Sequence, residues 1–219
     1  MDPNQLTNGF VQFVVFLFST TCHEAAHAFV AYKGGDLTAF NTGQVSLSPI
    51  PHVKREPIGM VLVPLLCFAA GSPMIGWASA PYDPLWARRY PRRAGLMSLA
   101  GPATNFVLVL IAALLLNLGA VTGLLASDGV GAGILKFLSV LFRLNILLCI
   151  FNLIPIPPLD GFPALALFLP EEMALRLFDL GYQIRRFSFL ILLLGWQYFG
   201  TILDPAERLA VHYLLPLFR

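Results

Sequence analysis

The chain has 219 residues, of which 57% are hydrophobic and 12% are charged. This composition, with a mean hydropathy of +0.74, excludes an ordinary soluble domain and predicts an integral membrane protein. The formal net charge of +2 is too small to indicate a nucleic-acid partner, and we expect none. The three cysteines all lie in apolar segments, where a small hydrophobic side chain explains them better than a disulfide.

Four apolar runs approach the length of about 20 residues that a helix needs to cross a bilayer. In chain order they are residues 6–29, 96–118, 134–156 and, with a weaker pattern, 187–203. A fifth run, residues 58–70, is too short, because as a helix it would extend about 20 Å against a hydrocarbon layer of about 30 Å. We therefore predict an all-α, polytopic membrane protein with a bundle of about four spanning helices.

The distribution of Lys and Arg indicates how the fifth run is arranged, because these residues collect in cytoplasmic loops. If residues 58–70 enter the membrane and return through residues 74–82, ten of the 14 basic residues fall on one side and three on the other. If the run crosses fully, the split is seven against six, and Arg143 stays within the membrane in either case. The sequence therefore predicts a re-entrant hairpin, with the more basic side facing the cytoplasm.

Residues 44–48 have the sequence Gln-Val-Ser-Leu-Ser, which alternates polar and apolar side chains between Gly43 and Pro49. This alternation predicts a short β element near the cytoplasmic face. The sequence contains no internal repeat and no stretch typical of a separate soluble domain. We therefore expect residues 1–219 to form a single integral membrane domain.

The stretch TTCHEAAHAF, residues 20–29, places ionisable side chains inside the first apolar run. His23 and His27 are four residues apart and so lie on the same face of a helix, where both imidazoles can bind one zinc ion. Glu24 lies beside them and is suited to accept a proton from a water molecule at that ion. Because ionisable groups in a spanning segment are costly, function explains them better than packing alone.

Asp160 is the candidate for a third ligand, since a catalytic zinc usually has three protein ligands and one open position. It lies near the end of the stretch NLIPIPPLDG, residues 152–161, whose prolines cannot continue a regular helix. An Asp-Gly pair is also typical of a simple surface turn. The re-entrant arrangement, however, puts this carboxylate and the two histidines at the same ends of parallel helices, where they can share a metal ion.

With these residues the chain resembles the site-2 protease family of intramembrane zinc metalloproteases, and in particular its compact members without a large soluble domain. The resemblance runs through three motifs in order: HEAAH at residues 23–27, AGPATN at residues 100–105 and NLIPIPPLDG at residues 152–161. Three ordered motifs are much more specific than any one of them. We accordingly place the catalytic core at about residues 6–165, with C-terminal helices at residues 166–219.

The resemblance implies a set of roles for the residues in these motifs. It implies that His23, His27 and Asp160 hold zinc and that the neighbouring glutamate is the catalytic base. It further implies a transmembrane protein as the substrate, with a helix that is cut close to the cytoplasmic face. The expected location is the cell membrane, with several spans and an active site toward the cytoplasm.

Two amides near the motifs, Asn105 and Asn152, are candidates for substrate binding. Either can hydrogen-bond the substrate backbone or the oxyanion that develops during peptide hydrolysis. The alternative is that they join helices, as amides commonly do in membrane proteins. The sequence leaves both interpretations open, and the motif around Asn152 favours substrate contact for that residue.

The same histidine pair would also suit a membrane transporter or sensor that handles zinc. That class of protein needs a polar path to both faces of the membrane. The outer halves of the predicted helices have almost no ionisable residues, so we favour the protease. The sequence does not define the oligomeric state.

Overall fold

The computed structural model describes residues 3–72, 74–125 and 129–218; for residues 3, 4, 185, 188, 189 and 191–198 only the backbone is described. In chain order the helices are α1 (Pro3–Lys33), α2 (Thr38–Asn41), α3 (Pro49–Arg55), α4 (Val63–Ala69), α5 (Pro84–Arg89), α6 (Pro91–Thr122), α7 (Gly129–Leu153), α8 (Gly161–Ala164), α9 (Glu171–Ile184) and α10 (Ser188–Leu214). A π-helical turn, Ile58–Leu62, precedes α4, and short 3-10 turns follow α8, α9 and α10. The predicted all-α class is confirmed.

Three long helices, α1, α6 and α7, are apolar enough and long enough to cross a membrane. They contain most of the first three predicted spans. Helix α6 packs against both α1 and α7, and the core between them consists largely of aliphatic side chains, including Val15, Val109, Ala112 and Leu141. The chain is therefore a multi-pass membrane protein.

The fourth predicted span, residues 187–203, falls within α10 except for its first residue. Most side chains in the first half of α10 lie outside the described residues, so this span stays a prediction. The later part of α10 contacts α7, where Arg143 Nε lies 3.1 Å from Glu207 Oε1. Arg143 is the basic residue that stays within the membrane in both arrangements of residues 58–70, and it thus has an anionic partner.

A glycine turn fixes the end of α1. Gly35 has a φ of 97°, which lies in the left-handed region that glycine adopts without strain. Its N–H donates to the carbonyl of Tyr32 (3.1 Å), and the N–H of Asp36 donates to that of Ala31 (2.9 Å), as in a Schellman motif. The buried carboxylate of Asp36 then accepts from the N–H of Asp83 (2.8 Å), which ties the end of α1 to the segment before α5.

The β element predicted at residues 44–48 is wrong, because these residues form bends between α2 and α3. The N–H of Ser48 donates to Ser46 Oγ (3.0 Å), and the carbonyl of Ser46 accepts from His52 Nε2 (2.9 Å). Serine and histidine side chains therefore satisfy this backbone locally and compete with strand pairing. The part of the chain that the structure describes contains no strand with which the segment could pair.

The short apolar run forms a hairpin. The π-helical turn and α4 together give an apolar helix over Ile58–Ala69. Beyond the turn at Gly71, where residue 73 lies outside the described residues, the chain returns without regular structure to Trp77, whose N–H donates to the carbonyl of Gly59 (3.2 Å). A Cβ atom on Gly76 would lie 2.3 Å from that carbonyl oxygen, so glycine is required where the two arms touch.

Candidate metal centre

His23 and His27 lie one turn apart on α1 and face α6. Both residues are buried, with 5% and 7% of their surface exposed. Their Nε2 atoms are 2.9 Å apart, and the two rings meet at an angle of 81°. The spacing of four residues therefore brings one nitrogen from each ring to the same point, as helical geometry requires.

Asp160 brings a carboxylate oxygen to this point from late in the chain. Its Oδ2 atom lies 3.0 Å from Nε2 of His23 and 3.3 Å from Nε2 of His27. Oδ2 is buried, yet it has no well-aligned hydrogen bond to any of the described residues. Because an unpaired buried oxygen is costly, this arrangement favours a cation between the three atoms.

The Asp160 carboxyl is in the charged form that a metal ligand requires. An aspartate carboxyl ordinarily loses its proton well below neutral pH, and a cation held between these atoms would favour the charged form further. The group is therefore a carboxylate at neutral pH. It adds negative charge to a space that already holds two ring nitrogens.

The other nitrogen of each ring shows where the ring protons lie. Nδ1 of His23 is 2.6 Å from Oδ1 of Asn105, and Nδ1 of His27 is 2.7 Å from the carbonyl oxygen of Met97. These oxygens only accept, so each Nδ1 donates, and in a neutral imidazole Nε2 then carries a lone pair. Two nitrogen lone pairs and the Asp160 carboxylate therefore converge on one small space.

This donor set fits a tetrahedral metal ion such as zinc. Zinc binds imidazole nitrogen and carboxylate oxygen at about 2.0–2.2 Å, and tetrahedral angles then separate neighbouring ligand atoms by about 3.3 Å. The three separations in the structure, 2.9, 3.0 and 3.3 Å, are close to that value. A proton can bridge only two of these atoms, whereas one metal ion binds all three and keeps a fourth position open.

The loop after α7 directs Asp160 toward the helices. Helix α7 ends at Leu153, because the prolines that follow cannot continue it. The backbone tightens at once, and the N–H of Ile156 donates to the carbonyl of Ile154 (2.8 Å). A Cβ atom on Gly161 would lie 2.2 Å from the carbonyl oxygen of Leu153. Glycine is thus required after the aspartate for the turn to pack on the end of α7.

Gly101 of α6 forms a wall of the site. A Cβ atom at this position would lie 2.4 Å from Nε2 of His27 and 2.5 Å from Nε2 of His23. Pro102 follows within the helix, and its ring displaces the preceding turn. That turn carries Met97, whose carbonyl accepts from His27. The AGPATN motif therefore supplies empty space beside the ligand atoms, and the helix turn before it supplies an acceptor that orients one of them.

Glu24 lies next to the first ligand in the chain and is buried, with 5% of its surface exposed. It precedes His27 by three positions in α1, and residues three apart are neighbours on the surface of a helix. It is not one of the three residues whose ligand atoms converge. A carboxylate that is near the metal position but is not a ligand can exchange protons, which is the position that a general base requires.

The two predicted substrate residues lie in different surroundings. Asn105 is fully buried, and its amide contacts His23 on one side and Asn145 on the other. Of the two interpretations that the sequence leaves open, this geometry favours a contact between helices. Asn152 donates to the carbonyl of Leu148 in its own helix (3.0 Å), and its described hydrogen bonds do not reach the three converging ligands.

Sequence reasoning missed two buried residues that extend the contacts of Asn105. Asn145 of α7 accepts from Nδ2 of Asn105 (2.8 Å) and donates to Oγ of Ser19 in α1 (2.9 Å). A buried polar side chain in an apolar span was the available signal, because such groups require partners. The partner itself could not be read from the sequence, since Ser19 and Asn145 are 126 positions apart.

Comparison with known proteins confirms the resemblance that the three motifs indicate. Residues 116–194 match Peptidase family M50. YwhC of Bacillus subtilis, which is named as a zinc metalloprotease, is 39% identical over 151 residues, or 68% of this chain and 64% of that protein. Rip2 of Mycobacterium tuberculosis, named in the same way, is 34% identical over 158 residues, or 72% of this chain and 56% of that protein. The chain is therefore similar to members of the M50 peptidase family over part of its length.

The chain spans less than two thirds of the length of these relatives, 64% of YwhC and 56% of Rip2. No solved structure matches it. The segment that matches the family, residues 116–194, contains Asp160 but begins after both histidines. The distances between these three side chains are therefore independent evidence that two segments far apart in the sequence form one site.

Replacing Asp160 with Ala is expected to abolish stoichiometric metal binding, because it removes one of three ligands. The purified native chain should contain about one zinc ion per molecule, and the variant should contain much less. Elemental analysis of protein in detergent measures this directly. Asp179→Ala is a matched control, because that aspartate pairs with Arg88 at the surface; equal zinc in the native chain and the Asp160 variant would contradict the site.

Replacing Gly101 with Ala is expected to lower zinc affinity sharply while the fold is kept, because the new methyl group would occupy the space beside both Nε2 atoms. Competition with a chelator of known affinity measures the change. Gly133→Ala provides the control, since a Cβ atom there meets nothing within 4 Å. Unchanged zinc affinity in the Gly101 variant would show that the metal does not bind at this point.

Proposed function

We propose that the protein is an intramembrane zinc metalloprotease, which hydrolyses a peptide bond in or near a transmembrane helix of a membrane protein. The observation that carries this proposal is the convergence of His23, His27 and Asp160, whose ligand atoms lie 2.9 to 3.3 Å apart. The names of YwhC and Rip2 as zinc metalloproteases support it. The buried position of the site within apolar helices supports a membrane-embedded substrate.

The chemistry divides between the metal and Glu24. Zinc bound by the three ligands supplies Lewis acidity, which polarises a carbonyl and makes water more acidic. Glu24 accepts a proton from the attacking water as its oxygen bonds to the carbonyl carbon. The same carboxyl then gives that proton to the nitrogen of the leaving amine as the carbon–nitrogen bond breaks. His23 and His27 each keep an Nδ1 proton in a hydrogen bond, so that Nε2 is the atom that would bind the metal.

The position of the basic residues supports cleavage near the cytoplasmic face. Arg93 Nη1 donates to the carbonyl of Gly34 (3.0 Å), so the end of α1 and the start of α6 lie at the same end of the bundle. Lys33 and the cluster Arg88, Arg89, Arg92 and Arg93 share that end, which is typical of the cytoplasmic side. His23 is ten residues from Lys33, or about 15 Å along the helix, which supports a site no deeper than about the middle of the bilayer from that side.

A cleft beside the catalytic turn of α1 is suited to an apolar substrate segment. It has a volume of about 360 Å³, and its walls come from α1, from α6 and from the bends that replace the predicted strand. The side chains along it are mostly apolar or small, including Cys22, Ala25, Ala26 and Leu47. Because the carbonyls of a helix are held in internal hydrogen bonds, a substrate helix must unwind near the zinc before it can be cut. A cleft of this kind can hold the apolar side chains of the unwound substrate segment.

Replacing Glu24 with Gln is expected to abolish cleavage and leave zinc bound, since the amide cannot accept the proton and the three ligands are intact. The assay uses purified protein and a set of single-span membrane helices in liposomes, with products identified by mass spectrometry. The native chain should cut the substrate helix in the half of the membrane that lies on the side of the basic residues. Persistent cleavage by the Gln variant would show that another group is the base.

Replacing Ala26 with Phe is expected to fill the cleft and lower kcat/KM for membrane-helix substrates without loss of zinc. The control is Ala120→Phe, which makes the same change at an exposed position of α6 outside the cleft. Cleavage rates and zinc content are measured on the same preparations. If both variants cleave as fast as the native chain, the cleft does not hold the substrate.

A further inference from the structure

A buried chain of hydrogen bonds joins the three long helices beneath the metal centre. Its members are Ser19 of α1, Asn105 of α6 and Asn145 of α7, each with no exposed surface. This chain of hydrogen bonds begins at the carbonyl of Leu141 and ends at the ring of His23. Hydrogen bonds of this kind usually explain how helices associate in a membrane, but here the direction of each bond is also determined.

The direction is set at Leu141. Nδ2 of Asn145 lies 2.8 Å from the carbonyl oxygen of Leu141 and 2.9 Å from Oγ of Ser19. A backbone carbonyl only accepts, so the amide of Asn145 must turn its NH₂ group toward Leu141. The opposite orientation would place two acceptor oxygens against each other. Oδ1 of Asn145 therefore faces α6 as an acceptor.

The next amide in the chain is oriented by the first. Oδ1 of Asn145 is 2.8 Å from Nδ2 of Asn105, so Asn105 must present its NH₂ group to α7. Its own Oδ1 then faces Nδ1 of His23, at 2.6 Å. Because that oxygen can only accept, the proton of His23 lies on Nδ1, and the lone pair of Nε2 points at the metal position.

The two histidines differ in what fixes their protons. His27 donates to the carbonyl of Met97, which belongs to the backbone and cannot turn round. His23 donates to a side-chain amide, and rotating that amide by half a turn would present NH₂ in place of oxygen. An NH₂ group there would favour a proton on Nε2, where the metal must bind. Among the described contacts of the Asn105 amide, only its hydrogen bond to Asn145 opposes that rotation.

We propose that Asn145 is a positioning residue for the metal centre: from α7, without contact to any ligand, it orients the amide of Asn105 so that the proton of His23 stays on Nδ1 and Nε2 is free to bind zinc. The inference rests on the metal site of the proposed function but does not depend on proteolysis. It gives α7 two connections to the site, one through Asp160 at its end and one through Asn145 in its middle.

The first test is Asn145→Leu, which keeps the approximate volume and removes both hydrogen-bonding groups. Zinc affinity, measured by chelator competition in detergent, should fall by about 10- to 100-fold, as is usual when a partner of a histidine ligand is lost. Asn117→Leu is the matched control. That amide also joins two helices, since it donates to the carbonyl of Leu214 (2.6 Å), but it does not belong to the hydrogen-bond chain that ends at His23. Equal zinc affinity in the native chain and the Asn145 variant would overturn the proposal.

The second test reads the proton position directly. Nitrogen-15 NMR of imidazoles in metal-free protein distinguishes the two neutral tautomers, and the chain has only four histidines. In the native chain His23 and His27 should both carry the proton on Nδ1. In Asn145→Leu, His23 should populate the other tautomer, whereas His27, held by the Met97 carbonyl, should not change. An unchanged His23 tautomer would overturn the proposal even if the native chain failed to bind zinc.

The third test separates orientation from simple helix adhesion. In Asn145→Leu, a further Asn105→Asp change replaces the amide with a carboxylate, which only accepts and so fixes the His23 proton in either orientation. The double variant should recover the Nδ1 proton and much of the lost zinc affinity. Ser19→Ala should lose less affinity than Asn145→Leu, because the Leu141 carbonyl still orients Asn145. If the double variant gains nothing and Ser19→Ala loses as much, Asn145 only holds helices together.

Discussion

Three electron-pair donors face one another in the interior of this membrane protein. Nε2 of His23, Nε2 of His27 and Oδ2 of Asp160 lie within 3.3 Å of each other, and the protons that would separate them are placed on the far side of both rings. In an apolar interior this repulsion is weakly screened. A single cation removes it, and a tetrahedral ion leaves one position for chemistry. A metal ion between the three atoms would therefore stabilise this arrangement as well as serve the proposed chemistry.

The rest of the fold can be understood as the means of keeping these donors together. Two of them come from one helix turn, and the third comes from a loop that follows α7. A glycine makes room for each approach: Gly101 leaves space beside the imidazoles, and Gly161 lets the loop pack on Leu153. Irregular backbone at membrane depth is tolerated where protein covers it, and here it is covered by α1 and α6 together.

The sequence allowed the convergence of His23, His27 and Asp160 to be predicted because its signals are local or electrostatic. Two histidines four residues apart require only a helix, and the count of basic residues placed Asp160 on their side. The strand at residues 44–48 failed because alternation is a weak signal over five residues, and the side chains of Ser46 and His52 satisfy the backbone instead. The contact of Asn145 with Asn105 could not be predicted, since it depends on how two helices rotate against each other, which no local pattern encodes.

X-ray absorption at the zinc edge on purified protein tests the central claim most directly. We expect one zinc per chain, bound by two imidazole nitrogens and a carboxylate oxygen at about 2.0–2.2 Å, with one further light atom. The spectrum should lose one imidazole contribution in a His27→Ala variant. Sulfur in the coordination sphere, or a zinc environment that does not respond to loss of that imidazole, would contradict it.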